Sequence, residues 1–222
     1  MNEVRFALRL PPQIFGLHRS CGLYSRGGDR SNSGFANRVN APVELEIRIA
    51  TENDRDAIEQ LIFVSARELS RGYYSDEQIA AALARVYGVD SALIDDRTYF
   101  VAEIDGMLVG CGGWSKRKTL FGGDQFASRD SGLLDPRTDA AKIRAFFVHP
   151  NYARRGIARS LLARCEAEAE RDGFRSFELM STLPGVEFYR ASGFSAADSI
   201  IYDAGGVSLD FVPMKKIFRT SV

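Results

Sequence analysis

Arg154, Arg155 and Arg159 surround Gly156 in the run Y-A-R-R-G-I-A-R-S, a few residues after Pro150. Those residue types at that spacing suit the binding of a phosphate group. Glycine lets the main chain approach a bulky anion closely because no Cβ stands in the way. A helix that starts just after it, at Ile157 and Ala158, begins with unpartnered N–H groups and the positive end of its dipole. Guanidinium groups add bidentate contacts to phosphate oxygens. The upstream half, A-K-I-R-A-F-F-V-H-P, places strand-favouring apolar residues at Ile143, Phe146, Phe147 and Val148. Pro150 ends ladder pairing because it has no N–H. Strand, bend, arginine and glycine loop, then helix is the order of a pyrophosphate cradle beside a parallel sheet.

The elements that must hold this loop are legible on both sides of it. L-E-I-R-I-A from Leu45 alternates as a strand, and T-E-N-D-R-D then supplies capping residues for an amphipathic helix over Ala57 to about Ser70. A second helix is expected over Ser75 to about Arg85, with S-D-E-Q as its start. T-Y-F-V-A-E-I-D-G-M-L-V-G-C-G-G-W-S reads as a hairpin turning at Asp105-Gly106. Residues 115–140 carry charge and glycine with little apolar periodicity, so a long loop is expected there, of a length that is usually functional or disordered. The helix after Gly156 runs to about Arg171 and ends at Asp172-Gly173. S-F-E-L-M-S-T is the next strand, and Pro184 opens a short helix that Gly193 closes. Final strands are expected near residues 199–203 and 207–216.

The stretch from Ala141 to Leu162 resembles the acyl-coenzyme A signature of the GNAT superfamily of N-acetyltransferases, whose loop reads Gln/Arg-x-x-Gly-x-Gly/Ala. Aligned on Gly156, the loop is A-R-R-G-I-A, Ala153 to Ala158. Ala158 matches the small closing residue. Ala153 stands where the family has Gln or Arg, which removes one side chain from the phosphate site and leaves the backbone cradle. V-H-P upstream and F-Y-R-A-S-G-F, Phe188 to Phe194, strengthen the resemblance, which extends over roughly residues 44 to 217. It implies an α/β (α+β) fold: a mixed, mostly antiparallel twisted sheet flanked by helices, with two central parallel strands that splay apart. It further implies acetyl-coenzyme A as co-substrate, an amine of a small molecule or protein as acceptor, and no metal. Main-chain groups of Phe146, Phe147 and Val148 would meet pantetheine. The main chain of Arg154, Arg155, Gly156, Ile157, Ala158 and Arg159 would hold the pyrophosphate.

Acetyl transfer to an amine has two proton problems. A lysine-like amine has a pKa of about 10.4, so restoring its neutral form at pH 7 corresponds to roughly 4.6 kcal/mol. The departing thiolate, with a reference pKa of about 8.5, benefits from a nearby acid. Tyr189 matches the family tyrosine that faces the thioester sulfur and is the expected acid. For the base, the resemblance points to Glu178 on the strand beside the thioester, with Glu103 second. Each is equally at home as a solvated strand residue. His149 sits in V-H-P, which relatives carry without a general-base role, and is expected to be structural. The acceptor would lie against Arg67 to Ser75 and against Trp114 with the loop after it, where Tyr73, Tyr74 and Trp114 could wall it or pack the core. The alternative reading is a non-catalytic acyl-coenzyme A binding module on the same fold.

Composition narrows the class. The 222 residues hold 29 basic and 29 acidic side chains, with 45% hydrophobic residues. Residues 1–43 carry six arginines against Glu3 and Asp29, so the remainder has a surplus of four negative charges. That balance argues against a nucleic-acid binder, and no apolar run approaches a membrane span. Cys21, Cys111 and Cys165 are too scattered for a disulfide framework or a zinc site, so buried reduced thiols and a cytoplasmic location are expected. A homodimer is compatible with the resemblance. V-G-C-G-G-W closes a hairpin strand and precedes no helix, so it fails the context of a dinucleotide site. Residues 1–43 read as a disordered extension, an organelle transit segment or an unused upstream start. Residues 44–222 read as one catalytic domain.

Overall fold

The computed structural model describes residues 4–7, as backbone, and residues 44–218. Nine strands form one sheet: β1 (Val4–Ala7), β2 (Glu44–Ile49), β3 (Tyr99–Ile104), β4 (Met107–Ser115), β5 (Ala141–Val148), β6 (Ser176–Thr182), β7 (Ser195–Ala196), β8 (Ile200–Asp203) and β9 (Ser208–Ile217). Their order is β1-β2-β3-β4-β5-β6-β9-β7, with β8 also paired to β9. Only β5 and β6 are parallel; every other pair is antiparallel. The helices are α1 (Arg55–Leu69), α2 (Asp76–Arg85), α3 (Ser91–Asp95), α4 (Ile157–Arg171) and α5 (Val186–Ala191). This is the mixed, mostly antiparallel sheet flanked by helices that the resemblance implies. Three elements lie outside the expected pattern: β7, α3, and β1, which pairs with β2 from within the segment read as an extension. The remainder of that segment lies outside the described residues.

Both sheet faces are buried, and β3 accounts for the pattern. Phe100, Ala102 and Ile104 turn to the face covered by α4, where they meet Ile157, Leu161 and Cys165. Tyr99 and Val101 turn to the other face, against Ile58, Leu61 and Ile62 of α1. Each fully buried Leu, Ile or Phe stabilises the fold by roughly 1.5–3 kcal/mol. The α2 start is a capping box: Ser75 Oγ accepts from the Gln78 N–H at 3.2 Å, and Gln78 Oε1 accepts from the Ser75 N–H at 2.9 Å. Cys111 and Cys165 are free, buried thiols, as their apolar segments suggest.

What opens the sheet is an irregularity in β5. Its parallel ladder with β6 covers only Ala141 against Phe177 and Lys142 against Glu178. On its other edge, Arg144 pairs with Gly113 and Phe147 with Cys111, so Ala145 and Phe146 together oppose Gly112. This is a β-bulge, with Ala145 at φ +54°. A bulge bends its strand and sharpens the local twist, and here it carries Phe146–Val148 away from β6. Those residues keep their bonds to β4 and present the opposite main-chain edge to the gap.

Candidate active site

The gap between β5 and β6 is a cleft of about 230 Å³ that runs through the sheet. Ala158 of α4 lines one end, and Tyr87 and Phe121 line the other. Between them stand the β5 segment Ile143–Val148, the β6 residues Met180–Thr182, and Tyr189.

At the Ala158 end the loop is built to receive an anion. Arg154 and Gly156 both take left-handed conformations, at φ +65° and +88°. Gly156 is the residue before α4 and no side chain caps the helix start. The six consecutive N–H groups from Arg154 to Arg159 find no main-chain acceptor among the described residues. The first turn of α4 holds no acidic residue. Arg154, Arg155 and Arg159 make no salt bridge among the described residues. Arg155 lies over the Tyr152 ring, 5.1 Å from its centroid, which orients its guanidinium beside the loop. These N–H groups and cations fit a pyrophosphate. His149 is structural, as expected: its Nδ1 accepts from the Asn151 N–H at 3.3 Å and shapes the bend before the loop.

Tyr189, on α5, is buried beside the gap. Its ring meets Phe146, Phe188 and Phe194 edge-on, with centroids 6.3, 4.9 and 5.6 Å away. Burial pushes its phenol well above the ordinary value of 10, so it stays protonated throughout the neutral range. The segment leading into α5 is tied down by Tyr74. The Tyr74 hydroxyl accepts from the Leu183 N–H at 3.0 Å and donates to the Asp210 carbonyl at 2.6 Å. Burial raises this phenol to about 12, which keeps the donor in place. Tyr74 therefore fastens the α1–α2 connection to the base of the helix carrying Tyr189, and does not wall an acceptor. Nor does Trp114, which is buried in the core edge-on to Phe174 at 5.9 Å. Tyr73 is exposed.

The structure does not bring Glu178 to the cleft. It lies opposite Lys142 at the closed end of the strand pair, four residues before Phe146 on the facing strand. Lys142 Nζ is 2.6 Å from one carboxylate oxygen and Lys215 Nζ is 3.2 Å from the other. Partial burial pushes the carboxyl upward, but the two lysines outweigh it and hold the value below the ordinary one. A carboxylate so clamped is a poor proton acceptor and joins β5, β6 and β9 instead. Glu103 is engaged elsewhere too, paired with Arg48 Nη2 at 2.5 Å. The titratable side chains that do line the cleft are Tyr87, Arg144 and Tyr189. Among the described residues, no group of three or more His, Cys, Asp or Glu could hold a metal ion. No described helix is long and apolar enough to cross a membrane.

Two features escaped sequence reasoning. The β5 bulge has no signal beyond a break in alternation. Arg144 is a charged residue within an apolar strand, which was the available hint. It is buried, and its Nη2 donates to the Gly122 carbonyl at 2.6 Å and lies 2.5 Å from Asp90 Oδ2.

Comparison with known proteins bears on this geometry. A model of the acetyltransferase (GNAT) family matches residues 59–194. An uncharacterised N-acetyltransferase of Methanocaldococcus jannaschii is 26% identical over 159 residues, covering 69% of this chain. The chain spans 62% of the length of that relative. Among solved structures, a GCN5-related N-acetyltransferase from Rhodopseudomonas palustris superposes with a TM-score of 0.58 at 21% identity, over 78% of this chain and 94% of that one. The PaiA N-acetyltransferase of Thermoplasma acidophilum, solved with coenzyme A, gives 0.55 at 19% identity, over 78% of this chain and 99% of that one.

Proposed function

This chain belongs to the acetyltransferase (GNAT) family, and we propose that it is an acetyl-coenzyme A dependent N-acetyltransferase. The acceptor is an amine held at the Tyr87 and Phe121 end of the cleft. One observation carries the reading: the loop with six unpartnered N–H groups opens onto the same cleft that Tyr189 lines. The PaiA structure contains coenzyme A, which supports the choice of donor.

Acetyl-coenzyme A supplies an activated acetyl thioester. The Arg154–Arg159 main chain and its guanidinium groups receive the pyrophosphate, and the free edge of Phe146–Val148 pairs with the pantetheine amides. This alignment directs the thioester toward Tyr189. A carbon–nitrogen bond forms as the carbon–sulfur bond breaks, and one proton passes from nitrogen to sulfur. The Tyr189 phenol lies above a thiol's pKa, so its contribution is a hydrogen bond from Oη to the sulfur as negative charge develops. With Glu178 clamped, the amine proton is lost by desolvation at the cleft or to water.

Thiol release from acetyl-coenzyme A across a panel of amines, with calorimetry of coenzyme binding, tests the reading. Turnover with at least one amine is expected. Coenzyme binding without turnover on any acceptor would favour a binding module. No binding of any acyl-coenzyme A would end both readings.

A further inference from the structure

We propose that the acceptor is a small, weakly basic aromatic amine that enters the cleft uncharged. The inference rests on the acetyltransferase reading above and narrows its substrate class.

The first observation is the wall. Beyond the β5 bulge the cleft is lined by Leu69, Tyr87, Phe121, Phe147, Met180 and Phe211. Tyr87 meets Phe147 edge-on at 5.8 Å, and Phe121 lies 5.5 Å from Phe211. Rings set at such spacings accept a further flat ring by edge or offset contact. The chamber is also fixed. Gly123 N donates to the Val86 carbonyl at 2.8 Å and Asp124 N to the Val89 carbonyl at 2.9 Å, which pins the loop carrying Phe121 over it. A volume of about 230 Å³, shared with the donor's thioester arm, holds one ring and its substituents.

The second observation is the sign of the charge beneath that wall. Arg144 and Arg129 both engage the fully buried Asp90, at 2.5 and 2.7 Å. Two guanidinium groups on one carboxylate leave a positive charge. The next pair outward, Arg55 with Asp124 at 3.3 Å, cancels itself. Arg144 Nε and Nη1 are buried without a hydrogen-bond partner. An ammonium in this chamber would be dehydrated, would face a surplus positive charge, and would meet no carboxylate among the described lining residues. The attraction of ring faces for a cation is smaller than that cost. An amine already neutral at pH 7 incurs neither, and it needs no general base. That agrees with Glu178 and Glu103 being committed elsewhere.

The test measures thiol release from acetyl-coenzyme A near neutral pH with aniline and ring-substituted anilines, against putrescine, spermidine and a lysine-containing peptide. The expected kcat/KM is at least about tenfold higher for the aromatic amines. Met180→Glu places a carboxylate in the wall and is expected to shrink or invert that ratio. If this variant does not fold, Phe121→Glu on the loop is read in the same way. Preference of the unaltered protein for a polyamine or the peptide overturns the proposal. So does a ratio that the introduced carboxylate leaves unchanged, or acetyl-coenzyme A binding with no aromatic amine turned over. Absence of acetyl-coenzyme A binding rejects the acetyltransferase reading itself.

Discussion

Tyr189 and Glu178 were read from the sequence as a catalytic pair, and their surroundings separate them. Tyr189 is held by three aromatic rings at the gap, with its proton secured by burial. Tyr189→Phe keeps those ring contacts and removes only Oη. Turnover is expected to fall by about 10²-fold or more, with little change in the coenzyme Kd; calorimetry beside steady-state kinetics checks both. Glu178→Gln should do the reverse. Activity is expected to stay within about twofold, while the loss of an ion pair to Lys142, whose side chain is 11% exposed, costs roughly 1–3 kcal/mol. Thermal unfolding of the variant beside its kcat reads this out, and a large loss of kcat would restore Glu178 as base. The phenol was legible because its signal is local, in F-Y-R-A-S-G-F. The carboxylate's partners lie 36 and 37 residues away in the chain, on strands whose register no local pattern reveals.

At the scale of elements, the cleft depends on a bulge that alternation alone would have hidden. The sequence I-R-A-F-F-V suggests an unbroken strand. Arg144 and Ala145 both turn toward the α1 side, after which Phe146 resumes the α4 side. Gly112 opposes this bulge, and a Cβ there would meet the Phe146 ring at 2.7 Å. Gly112→Ala is therefore expected to displace Phe146, cost roughly 1–3 kcal/mol of stability, and raise the KM for acetyl-coenzyme A; urea unfolding and initial-rate kinetics measure the two effects. A second prediction concerns the junction of β2, β3 and α1. Asp54 receives two bonds from Arg48, at 2.8 and 2.7 Å, and one from the Thr51 N–H at 2.8 Å. Arg48 foremost lowers its pKa from 3.8 to about 2. A depressed folded-state value stabilises the fold above the unfolded pKa, and the effect is lost as pH falls through the folded one. Stability should thus decline by roughly 1–2 kcal/mol between about pH 5 and pH 2 on this account, after allowing for solvent screening. Asp54→Asn should flatten that part of the curve of Tm against pH.

Across the whole molecule, strands β1–β5 and strands β6–β9 share only a two-residue parallel ladder, reinforced by the Lys142–Glu178 pair and by Tyr74. The fold class and the donor loop were legible because alternation, caps and the glycine loop are written locally. The wall of the acceptor chamber was not, since α1, β6, β9 and the loop after β4 each contribute to it. A ligand that pairs with the free edge of β5 and seats its phosphates on α4 completes what the sheet leaves open. It binds the folded chain and not the unfolded one, so it must raise stability by RT ln(1 + [L]/Kd), about 2.7 kcal/mol at a hundredfold excess over Kd. For a chain of this size each kcal/mol moves Tm by about 2–4 °C, so saturating acetyl-coenzyme A should raise Tm by roughly 5–11 °C. Adenosine alone, lacking both the pyrophosphate and the pantetheine arm, should produce almost none of that shift. Replacing Arg154, Arg155 and Arg159 together with Gln should reduce it without lowering the ligand-free Tm, because none of the three makes a salt bridge among the described residues. An unaltered Tm in the presence of acetyl-coenzyme A would mean that the gap between β5 and β6 is not where the donor binds.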